Sequence, residues 1–300
     1  MSDVLVVGSL AFDSIETPEG KVDHALGGSA VYFSLAASLF SKPHVVGVVG
    51  SDFGDAEMAV LTEKGVDVSG IARAHGKTFH WSGSYLEDIN RADTRATELN
   101  VFATFQPELP KAYRKLPFVF LGNIDPDLQL HVLGQVEAPR LVALDTMNFW
   151  IGGKRAALRD VLRKIDVLLV NEGEAKLLAE TSNLKKAARI IRGLGPRTLV
   201  VKRGEYGVAM FSEDAVFAFP GYPLEVVVDP TGAGDSFAGG FVGSLARSGD
   251  VSAASLRRAC VDGTAVASFT VEDFGVKRLA GVTRAEHQER LRELAMMVEI

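Results

Sequence analysis

The sequence predicts an α/β fold, with a central, mostly parallel sheet flanked by helices and a small β lid beside it. Three observations predict it. Short continuous runs rich in Val and Leu recur along the 300 residues. Each run is followed by a turn and a segment of helical spacing, and two stretches break that rhythm with turn-rich or period-two patterns.

The runs are residues 4–7, 45–49, 118–121, 141–144, 167–170 and 199–201. They lack polar alternation, which suits strands covered on both faces. Residues 29–40, 55–64, 128–136, 154–164 and 184–192 read as crossover helices. Repeated strand–helix units of this kind wind right-handed. Three more helices are expected at 233–246, 252–269 and 284–298. The exceptions are 13–26, with Pro18 and Gly20, and 77–105, where Phe79, Trp81, Gly83 and Tyr85 alternate and 99–105 is a second β-prone run. Alternation implies half-exposed strands, so these pieces form a small sheet that serves as a lid over a site or as a surface for a homodimer. No repeat or linker divides the chain, and residues 1–300 read as one domain.

Composition narrows the function. A net charge of -6 argues against binding to a nucleic-acid backbone. The single cysteine, Cys260, admits no intramolecular disulfide and suits a reducing compartment. It lies in an apolar stretch and reads as a core thiol. No window approaches the apolar length of a membrane span, so a cytoplasmic protein without membrane contact is expected. The six histidines show no metal-ligand spacing.

The chemistry concentrates in Asp229-Pro230-Thr231-Gly232-Ala233-Gly234-Asp235. Phe237, Phe241 and Leu245 follow at helical spacing, so Gly232, Ala233 and Gly234 stand at a helix start. Unpaired N–H groups and the helix dipole make that turn an anion hole. Asp235 in the first turn is a candidate general base, because phosphoryl transfer to an alcohol needs a proton acceptor beside a site for charge. A carboxylate there also serves merely to complement the dipole.

The string from Asp229 to Phe241 resembles the C-terminal signature of the ribokinase/PfkB family of carbohydrate and nucleoside kinases, and the resemblance extends over nearly the whole chain. It implies a ribokinase-like fold and ATP-dependent phosphorylation of a sugar or sugar-containing small molecule. Val6-Val7-Gly8, then Asp13, then Gly27-Gly28 opening a helix, resemble the family's substrate-binding half. There the aspartate matching Asp13 bonds substrate hydroxyls and the glycines admit the substrate to backbone. Asn171-Glu172-Gly173-Glu174 resembles the N-x-x-E motif, which orders Mg²⁺ through water. Lys202-Arg203-Gly204-Glu205-Tyr206-Gly207 resembles the nucleotide loop at a strand end. In many relatives loops matching Asp229 and Phe274-Gly275 hold K⁺.

Several of these residues have plainer readings. Asn171 and Glu174 suit a helix cap as well as a hard-oxygen pair for Mg²⁺. Gly204 and Gly207 suit a hairpin turn before 208–211. Tyr32 occupies a place where many sugar kinases of the family carry asparagine, which implies an acceptor larger or flatter than ribose. Asn148, in Asp145-Thr146-Met147-Asn148, adds a polar group from the opposite wall, although the D-x-N-x-R pattern of some relatives is absent. Three alternatives stay open: a nucleoside kinase of the same family, a ligand-binding regulator on the same fold, and a dinucleotide oxidoreductase. The last lacks its G-x-G-x-x-G.

Overall fold

A computed structural model describes residues 2–213 and 215–299. In chain order its strands and helices begin with β1 (Asp3–Val7), β2 (Ala11–Thr17), β3 (Gly20–Gly27), α1 (Ser29–Ala37), β4 (Lys42–Val49) and α2 (Asp55–Thr62). There follow β5 (Asp67–Arg73), β6 (Phe79–Ser84), β7 (Asp93–Glu98), β8 (Phe118–Leu121), α3 (Pro126–Leu133) and β9 (Leu141–Asp145). The middle of the chain supplies α4 (Asn148–Gly153), α5 (Arg155–Leu162), β10 (Val167–Asn171), α6 (Glu172–Ala179), α7 (Leu184–Arg192) and β11 (Thr198–Lys202). The last elements are β12 (Val208–Phe211), β13 (Val216–Phe219), α8 (Ala233–Ser248), α9 (Ala253–Thr270), α10 (Lys277–Gly281) and α11 (Arg284–Val298).

Nine strands form the main sheet in the order β13-β12-β11-β10-β9-β8-β1-β4-β5. Every pairing from β5 to β11 is parallel, and β12 and β13 close one edge antiparallel. The unbroken apolar runs follow from burial on both faces. Val4, Val6, Leu169 and Val200 enter one core with α1, α8 and α9. Leu5, Val7, Leu168 and Val201 enter the other, with α3, α5, α6 and α7. Alternate side chains of a strand point to opposite faces, so each strand serves both layers. Cys260 is buried in the first core, as expected.

The lid is a four-stranded sheet of order β3-β2-β6-β7, with β2 and β6 parallel. One expectation fails within it. Residues 99–105 form no strand; Asn100–Thr104 is a 3₁₀-helix. Its Phe102 packs between Phe79 and Phe105, so the aromatics that suggested a strand anchor a helical turn under the lid. The lid is tied to the main body where Thr17 Oγ1 donates to the Val228 carbonyl at 2.8 Å. Among the described residues no helix is long and apolar enough to cross a membrane.

α8 approaches its neighbours through glycine. A Cβ on Gly239 would lie 2.3 Å from the Phe33 carbonyl oxygen, and one on Gly240 would lie 2.9 Å from Gly263 Cα. This close seating on α1 and α9 brings the start of α8 to the C-terminal ends of the central strands. In open α/β sheets that is where ligands bind.

Candidate active site

Three neighbouring parallel strands end in polar residues: β9 in Asp145, β10 in Asn171 and β11 in Lys202. Lys202 Nζ donates to Asp145 Oδ2 at 2.7 Å. The lysine also reaches the turn that opens α8, for a Cβ on Gly234 would lie 2.9 Å from Nζ. Burial opposes the ammonium charge, but Asp145 and Glu174 outweigh it and hold the Lys202 pKa above the ordinary lysine value. Lys202 is therefore a fixed cation beside the candidate anion hole.

The turn takes its shape from Gly232, the N-cap of α8, at φ 75°. Asp229 Oδ1 accepts from Thr231 N–H at 2.8 Å and its Oδ2 from Gly275 N–H at 2.9 Å, locking the turn to the loop after α9. Ala233 N–H donates to the Pro230 carbonyl at 3.2 Å. The expected trio of donors is corrected accordingly: Ala233 is engaged by the turn. The N–H groups of Gly232, Gly234 and Asp235 donate to no acceptor among the described residues. A helix start with free donors and a lysine above it favours a phosphate or a developing negative charge.

Asp235 is half-buried in the first turn of α8. Burial and the charge of Asp145 push its pKa up to about 7, against the pull of Lys202. Glu174 is raised to about 7 as well, by burial and then by Asp145, with Lys202 again opposing. The local fold of Glu174 is a capping box. Asn171 Oδ1 accepts from Glu174 N–H and Glu174 Oε2 accepts from Asn171 N–H, both at 2.8 Å. The helix-cap reading is thus realised, and the cap places Glu174 within reach of the charges of Asp145, Lys202 and Asp235. Among the described residues no three acidic, histidine or cysteine side chains group to hold a metal directly, so the hard oxygens of Asn171 and Glu174 fit Mg²⁺ only as a hydrated ion held through its waters.

The other half of the site comes from the lid. Asp13 on β2 is 4% exposed, and a Cβ on Gly27 would lie 1.9 Å from its Oδ2. Burial first, then the charges of Asp229 and Asp235, raise the Asp13 pKa to about 8; the Gly28 N–H pulls the other way. Asp13 therefore shares one charged cleft with the α8 turn. Tyr32 on α1 reaches the same cleft, but its ring is covered: a Cβ on Gly232 would stand 2.4 Å from three ring atoms. It fills space beneath the anion turn and offers no flat platform for a larger acceptor.

Gly204 opens a 3₁₀ turn (Gly204–Tyr206) that Gly207 closes, between the antiparallel β11 and β12. The hairpin reading holds there as well. Gly204 lies against the lid loop, where Asn90 Nδ2 donates to Glu205 Oε2 at 2.7 Å. Asn148 is exposed, and its Oδ1 accepts from the N–H of Phe149. Asp145 is the residue of that segment that reaches the cluster. Tyr85 is a further member that motif spacing missed; its hydroxyl accepts from Thr231 Oγ1 at 3.3 Å. A groove of about 750 Å³ between α7 and the β12–β13 turn shares no residue with this cluster.

Comparison with known proteins adds an independent line. Residues 140–280 match the model of the pfkB family carbohydrate kinases. A cytidine kinase of Thermococcus kodakarensis is 31% identical over 254 residues, which cover 82% of this chain and 90% of that enzyme. A nucleoside kinase of Methanothermobacter thermautotrophicus is 28% identical over 312 residues, covering 92% and 91%. In fold, the chain is similar to the crystal structure of a Methanocaldococcus jannaschii nucleoside kinase, with a TM-score of 0.75 at 20% identity over 98% of this chain and 99% of that one.

Proposed function

The chain belongs to the pfkB family of carbohydrate kinases, and on that premise we propose that it transfers the γ-phosphoryl group of ATP to a hydroxyl of a ribonucleoside, with Asp235 as general base. One observation carries the reading: the free N–H groups of the α8 turn, the Asp235 carboxylate and the Lys202 ammonium converge at the ends of β9, β10 and β11.

Each group then has a task. Asp13, buried beside Gly27 and Gly28, accepts from vicinal hydroxyls of the acceptor. Asp235 takes the proton of the attacking hydroxyl, and its raised pKa gives it the basicity to do so near neutrality. The N–H groups of Gly232, Gly234 and Asp235, with Lys202, stabilise charge on the transferring phosphoryl group. The turn from Lys202 to Gly207 lies along the nucleotide. Asn171 and Glu174 would hold Mg²⁺ through water, and that ion neutralises phosphate charge when bound with ATP. The lid, bonded to Val228 and to Glu205, excludes water from the reaction.

A nucleoside is favoured over a free sugar because both curated relatives described above are nucleoside kinases by name. Measuring kcat/KM for cytidine, adenosine, ribose, fructose and their deoxy forms tests this. A ribonucleoside should lead, and loss of the diol should cost far more than loss of an apolar group. A free sugar as best acceptor overturns the acceptor, and no turnover with any of them overturns the kinase reading. K⁺ between the loops that Asp229 joins would firm the anion turn; equal rates in potassium and in a bulky organic cation retire that part.

A further inference from the structure

Gln129 on α3 is fully buried, next in the chain to Leu128, which with Val132 packs into the core on that side of the sheet. Its Oε1 has no hydrogen-bond partner among the described residues. An apolar side chain would fill the place without that cost, so a buried amide here calls for an explanation. The other end of the amide supplies it. Nε2 donates to the Gly122 carbonyl at 2.8 Å and to the Asp145 carbonyl at 3.3 Å. Both hydrogens of one nitrogen are used, which a hydroxyl could not match.

The two carbonyls sit where a ladder stops. β8 and β9 pair in register as far as Leu121 and Leu144, and Gly122 and Asp145 are the next residues. There Gln129 takes over from the sheet in holding the two strand ends together. Gly122 is itself anchored, its N–H donating to the Val7 carbonyl at 2.8 Å, and β10 pairs Asp145 with Leu169 on the other side. From this fixed end Asp145 holds Lys202 Nζ, and the lysine overhangs Gly234. We propose that Gln129 is a positioning residue for phosphoryl transfer: it fixes the end of β9 so that the Asp145 carboxylate holds the Lys202 ammonium at the turn that opens α8. It acts through Asp145 and touches no reactant. This rests on the phosphoryl site assigned under the proposed function.

The test uses the full chain with ATP and cytidine or adenosine. Gln129→Met keeps the length and removes both donors. Its Tm should fall, and kcat should fall about tenfold, the scale of one lost hydrogen bond, with the acceptor KM within about twofold. The acid limb of kcat/KM should move to lower pH, because the carboxylate that raises the Asp235 pKa is no longer held in place. Placed in an Asp145→Asn background, Gln129→Met should still lower Tm but change kcat by less than about twofold. Gln129→Asn keeps the amide on a shorter stem and should show the same pattern more mildly; it decides the matter if the methionine variant does not fold. A lowered Tm with wild-type kcat and an unmoved pH limb overturns the proposal and leaves Gln129 a support of the fold alone. A loss of kcat that persists undiminished in Asp145→Asn overturns it as well, since the effect would then bypass Asp145. If wild type phosphorylates neither nucleoside, it is the parent reading that fails; wild-type turnover with indifferent Gln129 variants sinks Gln129 alone.

Discussion

Lys202 Nζ bonds Asp145 Oδ2 at 2.7 Å, joining the last residues of two strands that lie on either side of β10. The pair is nearly buried, with the side chains 16% and 8% exposed. Removing one partner of such a pair leaves an uncompensated charge, which is more damaging than removing both. The same lysine overhangs Gly234, so its placement is a condition for the anion site as well as for stability.

A double-mutant cycle measures this dependence. Lys202→Met and Asp145→Asn should each lower stability and kcat, and the double variant should be less damaged than the sum of the two. Coupling between contacting charged residues is typically about 0.5–3 kcal/mol. Strict additivity in Tm and in kcat would show that the two side chains act independently.

The pH profile follows from the same charges. With the Asp235 pKa raised to about 7 by burial and Asp145, kcat/KM should fall on the acid side through that region as the base takes up its proton. Asp145→Asn removes a raising charge and should move the limb to lower pH. Lys202→Met removes the opposing cation and should move it higher. A limb near pH 4 in wild type would place the base in a solvated environment, contrary to the geometry.

Asp13 sets function against stability. Its pKa rises from 3.8 to about 8 on folding, so the folded state binds the proton more tightly than the unfolded chain. The native state therefore loses stability as pH climbs between those two values. Asp13→Asn should raise the Tm at pH 8 relative to wild type, with the gain shrinking towards pH 4, and should abolish selection for the acceptor diol. A pH-independent difference in Tm would remove the electrostatic cause.

Glu174→Gln should raise the Mg²⁺ concentration needed for half-maximal rate and leave the fold intact. The amide still accepts from Asn171 N–H and so retains the capping box. Its neutral oxygen attracts a hydrated divalent cation less. Unaltered metal dependence would place the ion elsewhere.

The sheet was legible because burial on both faces imposes unbroken apolar runs; residues 118–121 and the helix at 184–192 match the expected bounds. β5 escaped notice because Asp67–Arg73 is an edge strand whose residues are half-buried or exposed, and its pattern carries polar residues. Residues 99–105 misled because aromatic content favours a strand, while Asn100 at φ 49° begins a 3₁₀ turn and bonds the Thr78 carbonyl. In the site, residues in one continuous motif were readable: Asp229 through Asp235. Asp145 was not, since its partner Lys202 lies 57 positions away and meets it only through sheet order. Tyr32 shows the same limit: its position in the chain was legible, but its covered ring depends on where α8 seats.

The central claim is that Asp235 accepts the hydroxyl proton during phosphoryl transfer. Single-turnover transfer from γ-labelled ATP to the best nucleoside acceptor, in wild type and Asp235→Asn, tests it most directly, with nucleotide affinity measured on the same preparations. The amide keeps the shape and loses the basicity, so the rate should fall by about 10²–10⁴-fold, the scale of a general base, with ATP affinity within a few-fold of wild type. Transfer at close to the wild-type rate in Asp235→Asn would contradict the assignment.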